Sequence, residues 1–121
     1  MSLSENQVCP LYIGGKWINP AGKSGSPVYN PSRGSVIASV PMCGAAEVDM
    51  AVASAVAAFP DWRDTPPNER AQVLFRAKIM LEDAFEELCL GIATEHGKTL
   101  SESRGDLRRG IEVVEYACGI P

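Results

Sequence analysis

Two periods divide the chain. Between Leu11 and Val40 short apolar stretches are separated by turn-forming residues, whereas beyond Pro41 apolar positions recur every three or four residues. In the first region Leu11-Tyr12-Ile13 and Lys16-Trp17-Ile18 flank Gly14-Gly15. That two-residue connection admits the positive φ angles of a primed turn and predicts a hairpin over 11–18. Val28-Tyr29 and Val36-Ile37-Ala38-Ser39-Val40 flank Asn30-Pro31-Ser32-Arg33-Gly34. Here Pro31 presets a turn and Gly34 suits a left-handed position, which predicts a second hairpin over 28–40. Residues 19–27 read as a loop and residues 1–10 as a flexible N-terminus.

The helical region predicts three helices. Val48, Val52, Val56 and Phe59 line one stripe, acidic Glu47 and Asp49 favour the start, and Pro60 marks the stop, giving a helix over about residues 45–59. Thr65 is a candidate cap for a second helix with Pro66 in its first turn. The apolar run Leu74, Leu81, Phe85, Leu88 and Ile92 extends that helix over about 66–96. Thr99-x-x-Glu102 has the form of a capping box and opens a third helix over about 100–118, with Leu107, Ile111, Val114 and Cys118 on one face. At about 100° per residue, Gly105, Arg109, Val113 and Tyr116 make a second face and Arg104, Arg108, Glu112 and Glu115 a charged third. A helix apolar on two sides is expected to be covered on two sides, and the few short strands here are too small a sheet to do it.

Length and composition narrow the class. A chain of 121 residues fits one compact domain with one core. With 15 acidic residues against 11 basic ones and a net charge of -4, and with no basic stripe, a nucleic-acid partner is not expected. No apolar run approaches the about 20 residues of a membrane span, and the opening segment has no export signal, so a cytoplasmic protein without a membrane partner is expected. Cys9, Cys43, Cys89 and Cys118 are scattered without a CxxC pair. Cys89 and Cys118 fall on apolar helix faces and read as core residues, which leaves Cys9 and Cys43 open. His96, the single histidine, sits at a predicted helix end. No phosphate-cradling glycine motif occurs, and Glu82, Asp83, Glu86 and Glu87 read as a solvated helix face.

Five short motifs then occur in order: Leu-Tyr-Ile-Gly-Gly-Lys-Trp-Ile from Leu11; Asn30-Pro31-x-x-Gly34-x-Val36-Ile37; Ala57-Ala58-Phe59-Pro60-x-Trp62; Thr65-Pro66-Pro67-x-x-Arg70-Ala71; and Gly97-Lys98-Thr99. Together they resemble the N-terminal segment of the aldehyde dehydrogenase superfamily. Glu95-His96-Gly97-Lys98-Thr99 and the run from Arg109 to Pro121 are similar to its CoA-acylating, methylmalonate-semialdehyde branch. The resemblance implies an α+β fragment, two short antiparallel hairpins followed by three helices, of a parent α/β aldehyde dehydrogenase fold.

It also implies a parent that uses NAD to oxidise a malonate-type semialdehyde through a cysteine thioester, then transfers the acyl group to coenzyme A with loss of carbon dioxide. The nucleophilic cysteine, the cofactor-binding strands and the oligomerisation strand are expected beyond Pro121. The chain by itself is therefore expected to be inactive and to hold no cofactor, and its uncovered apolar surface is expected to make it self-associate through the second and third helices. A natural short interaction module and a succinate-semialdehyde type of dehydrogenase are the alternatives.

Two site assignments follow. Arg109 is expected to read the substrate carboxylate, because it shares its face with uncharged neighbours whereas Arg108 lies on the charged, solvated one. By resemblance, the backbone carbonyls of Val28 and Tyr29 with the Asp106 carboxylate match the positions at which some aldehyde dehydrogenases hold a monovalent cation.

Overall fold

A computed structural model describes residues 7–19 and 25–120. The chain divides into two compact units, Met1–Arg63 and Asp64–Pro121, where length alone suggested one domain with one core. Few side chains are fully covered in either. Among the described residues the buried apolar ones are Ala38 and Pro41 in the first unit and Ala71, Cys89, Ile111 and Cys118 in the second.

The first unit contains two small sheets and a helix. Strands β2 (Leu11–Ile13) and β3 (Lys16–Ile18) pair antiparallel, with Tyr12 opposite Trp17 and their rings 4.8 Å apart. Gly14 and Gly15 join them at φ 59° and 75°, the two positive angles of a primed hairpin turn, which residues with a Cβ adopt reluctantly. Strands β4 (Gly25–Asn30) and β5 (Ser35–Pro41) form the second hairpin. Its turn is closed by the Gly34 N–H donating to the Asn30 carbonyl at 2.8 Å and the Ser32 N–H donating to Asn30 Oδ1 at 3.0 Å. The pairing begins at Gly25, inside the stretch read as loop; 20–24 lie outside the described residues.

A further strand corrects the reading of 1–10 as a flexible terminus. β1 (Gln7–Val8) pairs parallel to β5, with Gln7 opposite Ala38 and Val8 opposite Ser39, and the Cys9 N–H donates to the Ser39 carbonyl at 2.8 Å. Pairing this short is made by backbone alone, so no alternating side-chain pattern announces it. Residues 1–6 lie outside the described residues.

Helix α1 spans Ala45–Asp64 and carries Pro60 inside it, so the expected stop at Phe59 is corrected. Proline removes the bond to the carbonyl four residues back, here that of Val56. α1 buries none of its residues, so that carbonyl stays within reach of water. The same exposure leaves the stripe of Val48, Val52, Val56 and Phe59 bare.

The second unit holds three helices where two were expected: α2 (Pro67–Asp83), α3 (Phe85–His96) and α4 (Leu100–Cys118). The single long helix over 66–96 is interrupted at Ala84, with φ −93° and ψ 10°. Its apolar positions keep helical spacing across the interruption, which is why periodicity runs through it. α2 starts from Pro66, with Pro67 in the first turn and no side-chain cap, so Thr65 is not its N-cap. The prolines suit that end because they bring no N–H that would need a partner. At α4 the capping box forms as expected. The Glu102 N–H donates to Thr99 Oγ1 at 3.3 Å, and the Thr99 N–H donates to Glu102 Oε2 at 3.0 Å. Ile111 is 1% exposed and Cys89 0%, and together with Cys118 and Ser103 they form the covered seam between α4 and its neighbours.

Candidate functional site on helix α4

The seam fixes which way α4 faces. With Ser103, Ile111 and Cys118 turned inward, the residues about 100° away on either side form two different surfaces. One is charged and is occupied by ion pairs. Arg104 donates from Nε to Glu86 Oε1 at 3.0 Å and from Nη2 to Glu86 Oε2 at 2.8 Å, a two-pronged contact. Arg108 donates from Nη1 to Glu82 Oε1 at 2.6 Å while its guanidinium carbon lies 4.7 Å from the centre of the Phe85 ring. Further along, Lys78 Nζ lies 3.0 Å from Glu115 Oε2.

Arg108 and Glu86 stay open to solvent, as expected of a charged face, and the structure adds that Arg108 pairs with Glu82 and Arg104 with Glu86. Hydrogen bonds from Arg108 and Arg104 respectively, reinforced by their charges, hold the two glutamates below the ordinary carboxylate range and raise both arginines. A signal for this was present in the sequence. Arg104 and Arg108 are spaced four apart, as are Glu82 and Glu86, so two antiparallel segments can pair them in order.

The other surface carries Gly105, Arg109, Val113 and Tyr116. All are exposed, Val113 at 63% and Tyr116 at 79%. Among the described residues Arg109 makes no hydrogen bond or ion pair; its charge acts on Asp106, one turn earlier. Of the three arginines on α4, Arg109 alone keeps its donors unused. Asp106 itself pairs with Lys98 Nζ, and that hydrogen bond, then the charges of Lys98, Arg109 and His96, lowers its carboxyl below the usual range.

The cation positions fall in both units. Val28 and Tyr29 flank a register shift in β4, with Val28 opposite Ala38 and Tyr29 opposite Val36, whereas Asp106 lies on α4. The Asp106 carboxylate is engaged by Lys98. Among the described residues no group of three or more His, Cys, Asp or Glu side chains could hold a metal ion. Cys43 is exposed beside an apolar groove of about 240 Å³ between β2 and the start of α1, and Cys9 is partly covered. No helix is long and apolar enough to cross a membrane among the described residues.

Residues 17–121 match the aldehyde dehydrogenase family. The chain belongs to that family and corresponds to an N-terminal segment of its fold. Within the family it is similar to the semialdehyde dehydrogenases. It is 40% identical over 121 residues to a malonate-semialdehyde dehydrogenase of Bacillus pumilus, covering 100% of this chain and 25% of that protein. To the Pseudomonas aeruginosa malonate-semialdehyde dehydrogenase it is 47% identical over 109 residues, which is 90% of this chain and 22% of the relative. The crystal structure of a putative methylmalonate-semialdehyde dehydrogenase from Sinorhizobium meliloti, complexed with NAD, superposes with a TM-score of 0.91 at 36% identity. It covers 98% of this chain and 24% of the other. The methylmalonate-semialdehyde dehydrogenase of Oceanimonas doudoroffii gives 0.89 at 40% identity, over 96% and 23%. The chain thus spans about a quarter of the length of the relatives it matches.

Proposed function

We propose that this chain forms the N-terminal part of a CoA-acylating, NAD-dependent dehydrogenase of malonate or methylmalonate semialdehyde, and that Arg109 is its contact to the substrate carboxylate. One observation carries the reading: Arg109, on the face of Gly105, Val113 and Tyr116, is the α4 guanidinium that makes no hydrogen bond or ion pair among the described residues, while Arg104 and Arg108 are committed to Glu86 and Glu82. A planar guanidinium grips a carboxylate through two parallel hydrogen bonds, and that preference favours a semialdehyde bearing an acid group over a neutral aldehyde. The names of the similar proteins support the same substrate class.

The work of this segment is binding and orientation. Packing of Ile111 and Cys118 sets the direction of α4, and the capping box fixes its start. Arg109 then offers a fixed positive group at one end of the substrate, which aligns the aldehyde carbon at the other end with groups supplied elsewhere in the enzyme. NAD supplies the oxidising chemistry and coenzyme A the acyl acceptor when bound; no residue of this segment is assigned to either. By itself the 121-residue chain is proposed to be inactive.

The enzyme that carries this segment is expected to reduce NAD with malonate semialdehyde and to require coenzyme A for turnover, releasing acyl-CoA. Release of the free diacid at an unchanged rate without coenzyme A would place the segment in a hydrolysing branch of the family instead.

A further inference from the structure

We propose that the interruption at Ala84 is a hinge between α2 and α3, held closed by α4 through the Arg108–Glu82 and Arg104–Glu86 pairs that grip the chain on its two sides. The junction is weak in its own backbone. It is bridged by the Ala84 N–H donating to the Met80 carbonyl at 3.1 Å and the Leu88 N–H donating to the Ala84 carbonyl at 3.0 Å. As in any new helix, the first amides of α3 precede its internal ladder and lack partners within it. Glu86 in that first turn favours a fresh helix start there over continuation of α2.

Local chemistry does not explain why the two helices hold one arrangement. Ala84 is an alanine, with neither the ring of proline nor the side-chain cap that would fix a bend, and α3 has no side-chain N-cap. The bracing comes from outside. Glu82 precedes the interruption and Glu86 follows it; their partners, Arg108 and Arg104, lie one turn apart on α4. Phe85, the first residue of α3, lies under the Arg108 guanidinium, so one side chain contacts both banks of the junction. The third pair, Lys78–Glu115, ties α2 to α4 away from the junction and serves as an internal control.

Amide hydrogen exchange of the full 121-residue chain, read by mass spectrometry, tests the proposal. Arg104→Gln with Arg108→Gln is expected to accelerate exchange at residues 84–88 by about fivefold or more, the scale of two modest ion pairs. Exchange around Ala71 and around Ile111 should stay unchanged, and Lys78→Gln should leave 84–88 as in the wild type. Wild-type protein in about 1 M salt, where screening acts within about 3 Å, gives the same reading without a substitution should the double variant fail to fold. Acceleration spread evenly over α2, α3 and α4, or none at 84–88, would overturn the hinge.

Discussion

The two units reach their structures by different means. The first is ordered by its backbone: two tight turns, a three-stranded ladder and a helix, with only the small apolar residues Ala38 and Pro41 buried among the described residues. The second is ordered by side chains: a seam of Ala71, Cys89, Ser103, Ile111 and Cys118, flanked by ion pairs and opened by a capping box. The contrast shows that apolar stripes of the same helical spacing have unequal consequences. α1 and α4 both carry one, yet the stripe of α4 is packed and that of α1 is bare.

Substitution at matched positions sharpens this contrast. Ile111→Ala in α4 is expected to destabilise the second unit by about 2–4 kcal/mol through lost burial and the void left behind. Val56→Ala in α1, at 65% exposure, should change stability by no more than about 0.5 kcal/mol. Thermal unfolding followed by circular dichroism checks both, and similar shifts for the two variants would erase the distinction. A smaller effect, about 1 kcal/mol, is expected for Thr99→Ala, which removes one half of the capping box. Denaturant titration should show an earlier midpoint with an unchanged slope.

The smallest effect is that of acid. Glu82, Glu86 and Glu102 are held below the usual 4.5 and Asp106 below 3.8 by Arg108, Arg104, Thr99 and Lys98 respectively. Because folding lowers these values, their contribution is complete above about pH 4.5. It is lost as the pH falls through the ordinary values toward the lowered ones. All four groups face solvent, so the loss is modest. Urea midpoints at successive pH values should fall only below that range, and Arg104→Gln with Arg108→Gln should flatten the fall. A midpoint that instead declined between pH 8 and 6 would point to groups other than these.

Exposure also predicts association. Ile79, Met80, Leu90 and Tyr116 are all largely open in the second unit, and apolar surface of this extent is seldom left bare. Light scattering of the isolated chain is expected to show species larger than a monomer. A clean monomer at high concentration that binds no apolar dye would contradict this.

Sequence reading succeeded where a local rule dictates the local outcome. Gly14-Gly15, Asn30-Pro31 and Thr99-x-x-Glu102 each name a turn or a cap whose geometry follows from those few residues. It failed where the outcome depends on surroundings. Pro60 forecast a stop, but an exposed helix tolerates a carbonyl left to water. Ala84 is a strong helix former, so nothing in its identity marks an interruption. The partners of Glu82 and Glu86 went unread because they lie more than a helix away in sequence, although the matched spacing of four was legible. For the candidate site, the separation of Arg108 from Arg109 by helix angle placed them on different faces. That Arg108 meets Glu82 and the Phe85 ring is set by the packing of α4 against its neighbours.

The most direct test of the account is Arg109→Leu in the enzyme that carries this segment, with a carboxylate-bearing semialdehyde compared against a short neutral aldehyde. Loss of a charged hydrogen-bond partner predicts a fall in kcat/KM of about 2 kcal/mol or more for the first substrate and little change for the second, at an unaltered melting temperature. An equal fall on both substrates, with unfolding at a lower temperature, would contradict the account and make Arg109 a structural residue.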